Sequence, residues 1–284
     1  MRLKPRYNPD VNQWWMCDEG RYGYKFVDVG RTLLPRERSN GELHETEWEM
    51  LLRSLSQRLK HFFEQFGKES LGVLISPQLT NEDLFLARKL FLEDLGLTAI
   101  SLLSPTPSGY EDRFLIKADK NPNTAGAKAI GFDTDAESIF KQIGQGKIKG
   151  LYIFGQDLVA LLGPQGVESL VEQLKLIVFQ GSNVNAMSQK AHYVLPSATF
   201  AEKDGTFTNG SGRVQRIHLA LKPIGKSRPD WTILQSLAEE MGMRYGYPDT
   251  EKIFQDLTHS VPAFKGLSYE KIGAGGALLA EAAT

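Results

Sequence analysis

Apolar residues recur every three or four positions between residues 47 and 66: Trp48, Leu51, Leu52, Leu55, Leu59, Phe62, Phe63 and Phe66. That period gathers them on one face and predicts an amphipathic helix, with Gly67 as its C-terminal cap. The pattern then changes. Residues 71–76 (LGVLIS) are a nearly continuous apolar run closed by Pro77, the pattern of a strand covered on both faces in a parallel sheet. Thr80 and Asp83 make an acidic variant of the capping box, and LFLARKLFLEDL keeps helical spacing until Gly96. Residues 99–103 read as a second strand, which gives a β-α-β unit with helices covering the sheet.

The same alternation continues downstream. Residues 104–112 form a proline-punctuated connection, 114–118 a strand candidate, and Asn121-Pro122-Asn123 a turn. A short helix is expected at 135–143 and a buried strand at 150–154, which ends in Gly155-Gln156-Asp157, where open α/β sheets present ligand groups. Asp157 reads as a loop cap, with no partnered carboxylate or histidine to give it acid–base work. Then follow a helix at 166–174, a strand at 176–179, a polar crossover at 182–190 and a strand at 193–195. Residues 217–221 alternate weakly as a strand, 222–229 make a linker, and Asp230 is expected to cap a helix ending at Gly242. Residues 272–284 are rich in small side chains and read as a flexible or docking tail.

Composition narrows the classes of partner. With 33 Lys and Arg against 34 Asp and Glu in 284 residues, nothing favours nucleic acid or an anionic membrane. A single cysteine excludes a disulfide within the chain and suits a reducing compartment. No window approaches the roughly 20 apolar residues of a membrane span, so the chain is expected to be soluble and cytosolic. The first 40 residues carry Tyr7, Trp14, Trp15, Tyr22, Tyr24 and Phe26 without periodicity. Too short to bury these on itself, the segment is expected to dock on the rest of the chain or on a partner. Cys17 lies within it, and alone it holds neither zinc nor an iron–sulfur cluster; by itself it reads as a buried thiol. His61, beside Lys60 and Phe62, reads as a solvated or partly packed histidine.

Residues 191–217 (AHYVLPSATFAEKDGTFTNGSGRVQRI) are the most unusual stretch. Gly205, Gly210 and Gly212 permit restricted conformations, Asp204-Gly205 and Asn209-Gly210 are turn dipeptides, and Arg213 and Arg216 place two cations beside them. The stretch reads either as an anion cradle built from backbone N–H groups or as a demanding piece of packing. No GxGxxG or P-loop pattern occurs anywhere in the chain.

Four blocks carry a resemblance: WWMCDEGRYGYKFV (14–27), LTNEDLFLARKLF (79–91), ADKNPNTAGAKAIG (118–131) and YVLPSATFAEKDGTFTNGSGRVQRI (193–217). Together they resemble the molybdopterin oxidoreductase family, and more closely the C-terminal part of the large iron–sulfur subunit of bacterial NADH:quinone oxidoreductase, complex I. The resemblance implies a reduced molybdopterin-oxidoreductase-like fold, an α/β Rossmannoid parallel sheet flanked by helices. It divides the chain into an aromatic remnant of an iron–sulfur-binding region (1–45), an α/β domain (46–264) and a small-residue-rich tail (265–284). It implies Gly205, Thr206, Asn209, Gly212 and Arg213 as a vestigial cofactor-binding set, and Cys17 as one ligand of a [4Fe–4S] cluster only where a partner chain supplies the other thiolates. Where family members carry a Cys, Sec or Ser metal ligand and then a long pterin-binding region, this chain has SLLSPTPSG, with no cysteine, Ser104 as the one ligand on offer, and the DKNPN block almost at once after it. Molybdopterin is therefore not expected, and the isolated chain is expected to hold no cofactor. The function implied is a non-catalytic structural subunit or fragment of a complex I-like peripheral arm, supporting electron transfer from NADH through neighbouring iron–sulfur clusters to quinone. Its partners would be the other subunits of that arm, on the cytoplasmic side of the inner membrane, reached only through the complex. The alternative is part of a molybdopterin-dependent, NAD-linked formate dehydrogenase or of an NAD-linked hydrogenase. A third reading, an independent nucleotide-binding module, has only the α/β pattern behind it.

Overall fold

The computed structural model describes residues 3–104 and 108–280; the expectations for residues 1–2, 105–107 and 281–284 lie outside the described residues. A mostly parallel sheet forms the centre. Its strands are β1 (Arg36–Ser39), β2 (Glu42–Glu45), β3 (Leu71–Ile75), β4 (Ile100–Leu102), β5 (Gly150–Phe154), β6 (Leu176–Gly181) and β7 (Tyr193–Pro196), in the order β2-β1-β7-β6-β5-β3-β4. From β7 to β4 neighbours run parallel, and the β1–β2 hairpin adds an antiparallel edge through Arg36↔Val194. The continuous apolar runs arise because both faces are covered. Val73, Ile75, Tyr152, Phe154, Val178 and Leu195 face one core, while Leu74, Leu151, Ile153, Ile177, Phe179 and Val194 face the other, as period-two alternation requires.

The helices are α1 (Asp18–Tyr22), α2 (Trp48–Phe66), α3 (Asn81–Ala87), α4 (Thr124–Ile130), α5 (Ala136–Gly144), α6 (Val159–Gln173), α7 (Ala186–Lys190), α8 (Asp230–Glu240), α9 (Thr250–Ser260) and α10 (Tyr269–Ile272). Helix α2 buries Trp48, Leu51, Leu52, Leu55, Leu59 and Phe62, and Gly67, at φ +82°, ends it by donating to Phe63 O. The Thr80–Asp83 capping box forms as expected, and α3 widens into a π-helical stretch over Arg88–Asp94. Helices α5, α6 and α7 cover the opposite face, supplying Ile139, Ile143, Val167, Leu170 and Met187.

Four local expectations need correction. Residues 114–118 form no strand, because Asp112 Oδ1 accepts from the N–H groups of Phe114, Leu115 and Ile116 at 2.6–2.8 Å and holds a turn. The strand expected at 217–221 ends at Ile217; instead β8 (Gly205–Thr208) and β9 (Arg213–Ile217) make a hairpin, which β10 (Ala277–Leu278) extends. Asp230 does not cap α8. Pro229 occupies that position, and the Asp230 carboxylate turns inward. Helix α6 starts at Val159, ahead of the expected 166, and is bent where Gly163 takes φ 69° before Pro164. Helix α9 was not anticipated; Asp249 caps it at Lys252 N and it buries Ile253, Phe254 and Leu257.

Candidate functional site

The order β5-β3-β4 reverses the direction of strand addition beside β3, so the carboxyl ends of β3 and β5 flank a topological switch point, the place where such sheets bind ligands. Gly155 turns there at φ +74°. Gln156, only 1% exposed, fills the gap: its Nε2 donates to Ile75 O (3.0 Å) and Leu103 O (2.8 Å), while its buried Oε1 has no hydrogen-bond partner among the described residues. An orphaned buried acceptor is costly, and it suits an N–H group of an entering ring. Asp157 caps the following turn through Val159 N at 3.1 Å, and Ser104 Oγ accepts from Asn121 Nδ2 at 2.6 Å.

The glycine-rich residues lie in the β8–β9 hairpin, against α3 and α4. The outward edge of β8 is capped by side chains: Thr206 N donates to Glu82 (2.8 Å) and Thr208 N to Asn123 (2.7 Å). Asn81 Nδ2 donates to both hydroxyls, Thr206 Oγ1 at 2.9 Å and Thr208 Oγ1 at 3.0 Å. Asn209 Oδ1 closes its own turn by accepting from Ser211 N and Arg213 N, with Gly212 at φ +76°. Arg213 pairs with Asp10 at 3.1 Å and donates to Gly276 O at 3.2 Å, and Arg216 stacks on Tyr269, 3.9 Å from its ring centroid. A cradle for a pyrophosphate needs these donors free. Here the N–H groups of Thr206 and Thr208 and the Arg213 guanidinium are engaged within the chain, with the Glu82 carboxyl accepting from Thr206 N, whereas the buried Arg216 Nε has no hydrogen-bond partner among the described residues.

Close approach explains Gly205. Its φ is +155°, and a Cβ there would lie 2.8 Å from Thr80 Cγ2 and 2.9 Å from Glu82 Oε2. Gly205→Ala is expected to lower stability by about 1–3 kcal/mol, read as a lower urea midpoint with an unchanged slope.

Beneath the hairpin lies an ionic centre that local sequence reading missed. Lys203 Nζ contacts Asp83 Oδ2 (2.6 Å) and Asp230 Oδ2 (2.8 Å), all three side chains being at most 4% exposed. Asp230 Oδ1 also accepts from Ser197 Oγ and from Gln180 Nε2, and Gln180 in turn accepts from Tyr152. Burial alone would push the Lys203 ammonium down, but the Asp230 and Asp83 carboxylates outweigh it and hold it above the ordinary lysine value. Nearby, Arg31 donates to both oxygens of Glu202 (2.9 and 2.7 Å). Burial would raise the Glu202 carboxyl; Arg31 and the Thr199 N–H hold it below the usual range. The sequence signal was faint: Asp83 and Asp230 each looked like a helix-start residue, and Lys203 sat in a stretch read for its glycines.

Cys17 stands apart from these groups. It is half-buried rather than buried, and its Sγ accepts from Gly20 N at 3.4 Å to start α1. Among the described residues no group of three or more His, Cys, Asp or Glu is placed to hold a metal ion. The aromatics around it are largely exposed, Trp14 at 67% and Tyr22 at 64%; Tyr7 packs on Trp14, Trp15 on Phe114 and Phe26 on Phe200. His61 is exposed, 3.8 Å from Glu64.

Comparison with known proteins matches residues 102–240, which include Gln156, Lys203, the hairpin and Asp230, to the family model described as molybdopterin oxidoreductase. These residues form a molybdopterin oxidoreductase family domain. The chain is 34% identical over 139 residues to proteins named "Putative formate dehydrogenase" from Staphylococcus aureus (strain bovine RF122 / ET3-1) and Staphylococcus haemolyticus (strain JCSC1435). Each match covers 49% of this chain and 14% of the relative's length. Among solved structures, acetylene hydratase from Pelobacter acetylenicus superposes with a TM-score of 0.60 at 12% identity, over 94% of this chain and 69% of that one. At that identity the likeness is one of fold, and it extends beyond the matched residues. The architecture is thus a reduced molybdopterin-oxidoreductase-like sheet flanked by helices. Among the described residues no helix is long and apolar enough to cross a membrane.

Proposed function

We propose that this molybdopterin oxidoreductase family domain serves as a non-catalytic scaffold in the peripheral arm of a complex I-like NADH:quinone oxidoreductase. It would hold neighbouring subunits that carry electrons from NADH through iron–sulfur clusters to quinone. The observation that carries this reading is the engagement of the glycine-rich hairpin: Thr206, Thr208, Asn209 and Arg213 bond within the chain, around a buried carboxyl. The exposed aromatics of the first 26 residues are the surface through which such subunits would be held, and Cys17 would join a [4Fe–4S] cluster only with thiolates from another chain. Membrane attachment, on the cytoplasmic side, would come through the assembly. The test is purification through a tag on this chain under native conditions. Flavin- and iron–sulfur-bearing subunits with NADH-oxidising activity are the expected companions; a molybdenum-containing formate-oxidising assembly would overturn the reading.

That second reading, a piece of a molybdopterin-dependent formate dehydrogenase, is favoured by the names of the relatives and by the orphaned Gln156 Oε1 at the switch point. Through the molybdenum it carries, a bound molybdopterin cofactor would supply the redox chemistry there. Gln156 would hold it by accepting an N–H, and the hairpin would contribute packing alone. Gln156→Leu should then lower pterin retention at least tenfold while leaving the melting temperature within a few degrees; under the scaffold reading no retained pterin is there to lose.

A further inference from the structure

We propose that the C-terminal segment is a pH-sensitive clasp on the β8–β9 hairpin, closed through the buried carboxyl of Glu82 and loosened when that carboxyl ionises. Glu82 is fully buried where the start of α3, strand β8 and helix α10 meet. Its Oε2 accepts from Thr206 N (2.8 Å), and its Oε1 accepts from Thr206 Oγ1 (3.0 Å) and from Tyr269 OH (2.8 Å). None of these donors is charged. The ion pairs of the region belong to other carboxylates, Lys203 with Asp83 and Asp230, and Arg31 with Glu202.

The groups facing this point leave Glu82 without a counter-ion. On its own helix, Asp83 shares the Lys203 ammonium with Asp230. Strand β8 presents the hydroxyls of Thr206 and Thr208, and α4 the amide of Asn123. On β9, Arg216 is the cross-strand partner of Thr206, and its guanidinium stacks on the Tyr269 ring, 3.9 Å from the centroid, with no ion pair to Glu82 among the described residues. From α10 comes Tyr269, 4% exposed, whose phenol burial and the Glu82 carboxyl hold well above the ordinary tyrosine range; α9 adds the Thr250 hydroxyl. Hydroxyls of Thr206 and Tyr269 donate or accept equally well, so the protonated acid keeps all its contacts. The ionised form is an uncompensated buried charge.

Tyr269 is the side chain that ties the C-terminal segment to this centre. The segment is also held by Ile272, buried in the core, by Arg213, which donates to Gly276 O at 3.2 Å, by the Ala277↔Val214 and Leu278↔Arg213 pairing of β10 with β9, and by Leu279 N and Asn8 Nδ2, which donate to Gly212 O and Gly275 O at 2.8 Å. Burial raises the Glu82 carboxyl from 4.5 to about 7, against the lowering pull of the Thr206 and Tyr269 hydrogen bonds. In the clasped form the proton therefore stays on up to pH about 7, whereas in an opened form it leaves near 4.5. Opening then rises about tenfold per pH unit between those values and is flat above them.

Hydrogen exchange of the full chain, corrected for intrinsic rates, tests this across pH 5 to 8. The opening constant of residues 205–217 and 269–279 is expected to rise about 40-fold from pH 5 to pH 7, with residues 150–154 unaffected. Glu82→Gln should abolish the slope; the same slope in that variant, or no slope in the parent, overturns the proposal. Tyr269→Phe keeps the ring under Arg216 and removes one donor. It should raise exchange of residues 269–279 about tenfold at pH 5, and unchanged exchange there would equally overturn it.

Discussion

Lys203→Met is expected to destabilise the protein by about 3–5 kcal/mol, because it leaves two buried carboxylates facing each other without their cation. Asp83 belongs to the start of α3 and Asp230 to the start of α8, and Asp83 Oδ1 also accepts from Trp231 N at 2.9 Å. The ammonium therefore joins two helix starts that are far apart in the chain. The pH dependence separates lost charge from lost packing. In the parent protein the raised lysine contributes stability that is fully present below its unfolded value of 10.5 and is lost above it. In Lys203→Met that alkaline loss should be absent. Urea unfolding at neutral and alkaline pH checks this, and a loss under about 1 kcal/mol at neutral pH would mean that packing, not charge, dominates.

Arg31→Met is expected to cost a similar 3–5 kcal/mol and to free the N-terminal segment. The guanidinium, whose side chain is 1% exposed, donates to Glu202 and also to Val27 O (2.7 Å), Ser182 O (3.0 Å) and Ser197 O (3.3 Å). Its removal strands the Val27 and Ser197 carbonyls and leaves the Glu202 carboxylate in the interior without its counter-ion. Thr32 N still reaches Ser182 O and Val184 N still reaches Gly30 O, so detachment should begin before Gly30 and show as faster proteolysis within the first 30 residues. The sign of the pH effect is opposite to that of Lys203. Glu202 is depressed below 4.5 by its partners, so the pair stabilises above that pH and its contribution fades as pH falls through the folded value. In Arg31→Met that acid sensitivity should weaken, because only the Thr199 hydrogen bonds are left to oppose burial.

These two side chains also mark where sequence reading stops. Strands β3, β5 and β6 were legible because helices cover both faces, which makes every position apolar. Helix α2 was legible because one face meets the core. The β8–β9 hairpin was not, because its inward residues Thr206 and Thr208 bond to Asn81, Glu82 and Asn123, and a polar contact surface leaves no hydrophobic alternation to detect. Local rules assigned Asp83 correctly as a capping residue and missed its second bond, to a lysine 120 positions away. Asp230 misled in the same manner: an acidic residue at a helix start suggests a cap, yet burial beside Lys203 turned it inward. The family resemblance pointed to residues 193–217 as distinctive; only the packing reveals that their glycines and arginines serve contacts within the chain.

Under the proposed function the glycine-rich hairpin is internal architecture and the chain a scaffold without a redox centre of its own. Purified, folded chain is incubated with molybdopterin guanine dinucleotide and molybdate, desalted, and read by pterin fluorescence and metal quantification. Less than about 0.05 equivalents of either per chain is the expected result. Retention near one equivalent of pterin and molybdenum, whether or not Arg213→Ala reduces it, would overturn the scaffold reading.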